Sequence, residues 1–238
     1  MEETIKLLKS FSDEIKHGNR FIINHKIVDL FKQIINDFTE IIPKENTVLF
    51  RGRINKSMVV VPYTDEEIGM PSASKVLTVG RANPYGINYL YLAEDVDTVI
   101  SELRPNRDSL ITVSSFELLR DIKVVKLSNF AVHEDENICS LALLLGLNFS
   151  LPVNKSDANI DYLPTQYFAE LCKANKLDGI KFLSSVMNNG NKQHYNITVF
   201  NDKFTKCIKR EVRRVLSIEY RHRLYEWHVN NKIFEWLI

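Results

Sequence analysis

Between residues 81 and 102 the chain sets out three chemically capable side chains, Arg81, Tyr91 and Glu102, at intervals of ten and eleven residues. An arginine keeps its charge and offers a planar fork of donors that fits phosphate or carboxylate. A tyrosine adds an apolar ring with a polar tip. A carboxylate in a dry site stabilises positive charge as it develops nearby. Such a trio combines anion binding with stabilisation of a cation, provided that the fold brings the three together.

A turn, a strand and a helix must do that work. Arg81 opens Arg81-Ala-Asn-Pro-Tyr-Gly86, whose Asn-Pro and Gly signal a tight turn. Tyr91 falls in Tyr89–Ala93, which reads as a strand, and Glu102 in a helix over Asp95–Leu103 that Pro105 ends. On that helix Val96, Val99, Ile100 and Leu103 form one apolar stripe, and Glu102 lies roughly 60° outside its edge. A carboxylate at that margin faces either open solvent or a cleft beside the core.

The rest of the chain reads as α+β. Residues 1–46 carry helical spacing, first in Ile5, Leu8, Phe11 and Ile15, then in Ile27, Leu30, Phe31, Ile34, Ile35 and Phe38. A break at His17-Gly18-Asn19 and a stop at Pro43 make this an N-terminal helical hairpin, followed by a second region over 47–238. Strands are predicted at Thr47–Arg51, Ser57–Val61, Val76–Val79, Tyr89–Ala93, Ser109–Val113, Lys123–Leu127, Gly179–Leu183, Tyr195–Phe200 and Val212–Arg221. Helices are predicted near 136–147 and 165–176. Mixed strands with segregated helices, rather than a regular βαβ alternation, define the class.

Composition narrows the function classes. The 238 residues are 45% hydrophobic and 26% charged, with a formal net charge of +1, which argues against a surface built throughout for nucleic acid. Cys139, Cys172 and Cys207 lie far apart with no CxxC pair, the pattern of reduced cytosolic thiols rather than of a zinc site. The N-terminus opens acidic, unlike a signal peptide, and the longest apolar run, Leu141–Leu147, is far short of the ~20 residues that span a bilayer. A cytoplasmic protein without a membrane anchor is expected. No GxGxxG occurs, so a dinucleotide site of the Rossmann kind is not supported, and no GxxxxGK[ST] phosphate loop appears either.

Five segments together resemble the RES-domain family, named for its Arg, Glu and Ser residues. Leu49-Phe50-Arg51-Gly52 resembles its first strand with an arginine, and Gly80-Arg81-Ala-Asn-Pro-Tyr-Gly86 its arginine and tight turn. Leu90-Tyr91-Leu92-Ala93 resembles the strand with its tyrosine, and Ser101-Glu102-Leu103-Arg104-Pro105 the helix end with its glutamate. Asp178-Gly179-Ile180-Lys181-Phe182-Leu183-Ser184-Ser185 resembles the Gly-Ile-Arg-Tyr-Pro-Ser segment, departing from it at Lys181, Phe182 and Leu183. That departure leaves the serine open between Ser184 and Ser185, with Ser184 preferred by register. The resemblance spans about residues 47–224, with the motifs in the family's order.

The resemblance implies a split mixed β-sheet of the ADP-ribosyltransferase kind and cleavage of NAD at its nicotinamide–ribose bond. NAD is then a substrate, with no further cofactor and no metal. Arg51 and Arg81 would hold its diphosphate, Tyr91 would pack on nicotinamide or ribose, Glu102 would stabilise the cationic ribose, and Ser184 would hydrogen-bond nearby. Many relatives are the toxin half of a bacterial toxin–antitoxin pair, which implies a cognate antitoxin as partner; a homo-oligomer is compatible with the sequence. Capture of the ribose by water or phosphate gives a glycohydrolase or phosphorylase, and capture by a protein side chain an ADP-ribosyltransferase.

Three other readings compete. Arg20 and His25 flank Asn24 with the Arg-x4-His spacing of a helical ribonuclease motif, although residues five apart do not share a helix face. The stretch Lys203–Arg223 holds eight Lys and Arg against Glu211 and Glu219, which suits nucleic acid, an acidic antitoxin or simply the solvated face of a strand. A binding module that has lost catalysis is the third.

Overall fold

The structure, a computed structural model, describes residues 2–23, 25–71, 79–128, 133–151, 153, 157–186 and 192–219. Eight strands form one mixed sheet: β1 (Thr39–Ile42), β2 (Val48–Ile54), β3 (Leu90–Ala93), β4 (Leu110–Leu118), β5 (Ile122–Leu127), β6 (Gly179–Leu183), β7 (Tyr195–Val199) and β8 (Thr205–Arg214). Their order across the sheet is β1-β5-β6-β7-β3-β2-β4-β8. Among the described residues only the β5–β6 pair is parallel. The segment joining that pair supplies helices α5 (Glu136–Ser150), α6 (Ala158–Asp161) and α7 (Leu163–Ala174). The fold is therefore the α+β arrangement with a mixed sheet that the sequence suggests.

The sheet is nearly divided in two. Strand β2 pairs with β4 along its whole length, yet meets β3 at a single registered pair, Phe50 with Ala93. Beyond that pair the ladder opens, and backbone groups of β3 on that side need other partners. This split leaves five strands on one side and three on the other.

Helices α1 (Glu2–His17) and α2 (Ile27–Asp37) bring Leu8, Phe11, Ile15, Phe31 and Ile34 into one core with α5, α7 and the sheet residues Val125, Leu127, Ile180 and Phe182. The other face of the sheet buries Leu49, Leu90, Leu92, Phe116, Val124, Ile197 and Val199, with Ile68 of the single-turn α3 (Asp65–Ile68). Helix α4 (Val96–Leu103) rests on β2 at Gly52, where an added Cβ would collide with Val99 and approach Leu103 to 2.9 Å. Glycine at that position allows the close approach. Asp95 starts α4 as its N-cap, and Arg104 ends it in the left-handed region at φ 46°, directly before Pro105. The apolar run Leu141–Leu147 lies inside α5, where Leu141, Ala142, Leu145 and Gly146 are buried.

Three sequence expectations need correction. Residues 39–42, read as the tail of the second helix, form β1, because Thr39–Ile42 pair antiparallel with Ile122–Val125. Residues 57–61, read as a strand, form an irregular loop whose Val59, Val60 and Val61 are exposed, so their β-branched character finds no ladder. The last strand runs over Thr205–Arg214 on β4 rather than over 212–221. Residues 76–78, most of the strand predicted over 76–79, and 220–221, the end of that predicted over 212–221, lie outside the described residues. Among the described residues, no helix is long and apolar enough to cross a membrane.

Candidate active site

The turn carrying Arg81 is fastened to Tyr91. The Tyr91 hydroxyl donates to Asn83 Oδ1 at 2.7 Å and accepts the Ala82 N–H at 3.1 Å, while the Gly80 N–H closes the turn onto the Asn83 carbonyl at 2.9 Å. Gln166 of α7 adds Nε2 contacts to the Gly80 and Asn83 carbonyls at 3.0 and 3.2 Å. Burial drives the Tyr91 phenol up to about 12, against the lowering effect of its contacts to Ala82 and Asn83 and of nearby Arg81. It stays a neutral donor at ordinary pH. A Cβ at Gly80 would overlap Asn83 Oδ1 and lie 2.6 Å from the Tyr91 hydroxyl. Gly80→Ala is therefore expected to lower the melting temperature by about 2–8 °C, read by thermal denaturation, because a packed turn must shift.

Arg81 itself reaches the end of α5. Its NH1 donates to the Phe149 carbonyl and, at 2.8 Å, to the Leu151 carbonyl, two of the acceptors that a helix C-terminus leaves unfilled. Arg51 occupies the split between β2 and β3. Its NH1 donates at 3.1 Å to the Tyr91 carbonyl, a group on the stretch of β3 that β2 does not pair. Burial, helped by repulsion from Arg53 and opposed by Tyr91, pushes the Arg51 guanidinium down to about 10, so it remains charged at neutral pH. Among the described residues neither Arg51 nor Arg81 has a carboxylate partner.

Glu102, half-buried near the end of α4, faces the far ends of β6 and β7. Ser184 Oγ donates to its Oε1 at 2.8 Å and Asn196 Nδ2 to the same oxygen at 2.6 Å. Of the two candidate serines, Ser184 makes this contact; Ser185 Oγ donates instead to the Ser150 carbonyl at 2.6 Å. Ser150 in turn donates to the Leu183 carbonyl at 2.6 Å. The end of α5, held by Arg81 on one side and by the Leu183–Ser185 segment on the other, thus links the two groups of residues. Asn196 and Ala93 are paired, as are Thr198 and Tyr91, so Asn196 and Tyr91 share a face of the sheet.

Together these contacts bring Arg51, Tyr91 and Arg81 into one connected set, and Glu102 and Ser184 into direct contact beside it. In the sequence Asn83 is legible only as a turn former, and Asn196 carries no signal of its own beyond sharing a strand with Thr198. The alternation of Asn196 and Thr198 with buried Ile197 and Val199 was the available signal.

Other features lead elsewhere. A surface depression of about 380 Å³ lined by Glu40, Pro43, Thr47, Glu94 and Lys181 holds a cation already neutralised, since Lys181 meets Glu94 at 2.7 Å and Glu40 at 3.1 Å. Arg20 donates to the Ile15 and Lys16 carbonyls, and His25 pairs with Ser10 and accepts from the Ile27 N–H. Both finish helices rather than converge on a ribonuclease site, and Asn24 lies outside the described residues. In the basic β8 stretch, Arg210 pairs with Asp65, Arg213 and Lys209 with Glu211, and Arg214 with Asp108. Among the described residues, no three His, Cys, Asp or Glu side chains could share a metal ion.

Comparison with known proteins adds three findings. The crystal structure of the M. tuberculosis MbcT–MbcA toxin–antitoxin complex is similar over 78% of this chain and 90% of that one, at 12% identity and a TM-score of 0.43. No curated protein matches the sequence. The family model of the RES domain matches residues 45–223, a span that contains Arg51, Arg81, Tyr91, Glu102 and Ser184. With most of its length accounted for by that match, the chain belongs to the RES-domain family.

Proposed function

We propose that the protein binds NAD at the split in the sheet and breaks the bond between nicotinamide and ribose. The single observation that carries this reading is the anchoring of Glu102: both of its hydrogen bonds from Ser184 and Asn196 fall on Oε1, which fixes the carboxylate and leaves Oε2 for a ligand. Arg51 and Arg81, which have no carboxylate partner among the described residues, supply the positive charge that a diphosphate needs. Arg81 would use the N–H groups not spent on α5.

As the C1′–N bond lengthens, its electron pair moves onto the nicotinamide ring and cancels that ring's positive charge. Positive charge appears instead on C1′ and the ring oxygen of the ribose, as in glycoside cleavage. A carboxylate already oriented in a partly dry site stabilises it without reorganising. An oxygen nucleophile then bonds to C1′: water passes its surplus proton to solvent, whereas phosphate attacks through an oxygen that is already anionic. Water as acceptor makes the protein a glycohydrolase, phosphate a phosphorylase. Tyr91, fully committed to the Asn83 turn, would offer its ring rather than its hydroxyl.

In the cell such an activity depletes NAD, which fits a cytoplasmic toxin restrained by a cognate antitoxin over the cleft. Incubating the purified protein with NAD, with and without phosphate, and identifying the products by mass spectrometry tests the reaction. Free nicotinamide with ADP-ribose, or with its 1″-phosphate when phosphate is present, is expected. Intact NAD would refute cleavage, and ADP-ribose attached to protein would make the acceptor a side chain. Ser184→Ala should lower kcat roughly tenfold in the same assay, since one hydrogen bond to a charged group is lost while Asn196 keeps the other.

A further inference from the structure

Helix α4 is fixed at its start by a histidine that also holds Ser184 and stands two residues before Asn196. Asp95 Oδ1 accepts the Thr98 N–H at 2.8 Å and the Thr98 hydroxyl at 2.9 Å, and its Oδ2 lies 2.8 Å from His194 Nδ1. His194 is buried, 5% exposed, at the entrance to β7. Its carbonyl accepts the Ser184 N–H at 2.8 Å, and two residues further along the strand stands Asn196. One residue therefore grips the Glu102 helix with its side chain, holds Ser184 with its main chain, and leads into Asn196.

The protons can be placed. The Thr98 hydroxyl spends its hydrogen on Asp95, so its oxygen, 3.2 Å from His194 Nδ1, can only accept from the ring. Although burial works in the other direction, contacts from Thr98 and His194 hold the Asp95 carboxyl below its usual range, so it too accepts. Nδ1 is accordingly the protonated nitrogen. Nε2 is buried and, among the described residues, has no hydrogen-bond partner. All of the ring's hydrogen bonding runs through the nitrogen that faces α4.

We propose that His194 is a positioning residue for the reaction: its Nδ1–H on Asp95 latches α4 to the β6–β7 ends and so sets Glu102 against Ser184 and Asn196. This rests on the NAD reading for its kinetic consequence but not for its structural one. Because Nε2 is unused, an asparagine, whose amide N–H can stand where Nδ1–H stands, should serve in its place.

The test compares His194→Ala, His194→Asn and Asp95→Asn. Asparagine at 95 still caps the helix, but the face it turns to His194 no longer has two acceptor oxygens on a charge. Kinetics with NAD are measured alongside amide hydrogen exchange of α4 and of the Ser184 N–H, which needs no substrate. His194→Ala and Asp95→Asn are expected to lower kcat about 10–100-fold with KM changed less than about threefold, and the double variant should be no worse than either. Exchange at Thr98 and Ser184 should quicken in both. His194→Asn should restore kcat to within about threefold of wild type and slow exchange again. Wild-type kcat and exchange in His194→Ala would overturn the latch. So would a His194→Asn protein with normal exchange that is as inactive as His194→Ala, which would give Nε2 a part in the chemistry. If the exchange pattern appears but wild-type protein leaves NAD intact, the latch stands and the substrate assignment falls. Should His194→Ala fail to fold, Asp95→Asn, which keeps the cap, carries the same comparison.

Discussion

Glu102→Gln protein is expected to bind NAD nearly as tightly as wild type while releasing nicotinamide about 10²–10³ times more slowly. Glutamine retains an oxygen for Ser184 Oγ and Asn196 Nδ2, so the side chain keeps both anchors at 2.8 and 2.6 Å. What it loses is the charge that opposes the developing ribosyl cation. The effect should fall on kcat with KM little changed, the signature of an interaction made mainly in the transition state. Thermal denaturation provides the control, since a half-buried, hydrogen-bonded carboxylate could also lose activity through misfolding. Turnover at the wild-type rate would remove Glu102 from the chemistry.

Arg51→Met should produce opposite changes in stability and binding. The Arg51 guanidinium is depressed to about 10 chiefly by burial, which means that folding penalises its charged form. The sign follows: at neutral pH the arginine is charged in both states and costs the folded one, and the cost fades only as pH rises past the folded value. An apolar chain of similar length removes a penalty on the order of 1–3 kcal/mol, offset in part by the loss of the donor to the Tyr91 carbonyl. The variant is expected to melt at an equal or higher temperature and to bind NAD about 10–100-fold more weakly, through loss of a charge-assisted contact to phosphate. Calorimetry of melting and of NAD titration reads both. A variant that melts lower and binds normally would mean that Arg51 is a structural group.

The chain's legibility followed its local physics. Helix α4 could be placed from its stripe, its Asp95 cap and Pro105, because each signal is contained within a few residues. The turn at 81–86 and the core strands were visible for the same reason. Residues 39–42 were misread because Ile41 and Ile42 continue a plausible helical period, and only pairing with the distant Ile122–Val125 makes them a strand. Residues 57–61 failed in the opposite way, since β-branched side chains favour a strand only where a neighbour exists to pair with.

The site divides along the same line. Arg51, Arg81, Tyr91 and Glu102 stood out by residue type, order and resemblance. Their actual contacts did not, because Ser184 and Asn196 reach Glu102 from positions 82 and 94 residues away. The choice between Ser184 and Ser185 likewise depends on which hydroxyl faces α4 at the end of β6, a matter of register that sequence does not carry. His194 had no motif around it and became visible only through Asp95.

The most direct measurement is a crystal structure of Glu102→Gln protein soaked with NAD, in which slowed turnover preserves the substrate. The expected result places the diphosphate on Arg51 and Arg81 and the C1′–N bond of the nicotinamide riboside beside the side chain at position 102. NAD bound elsewhere on the molecule, or the dinucleotide reversed so that adenosine lies at position 102, would contradict the assignment of this site.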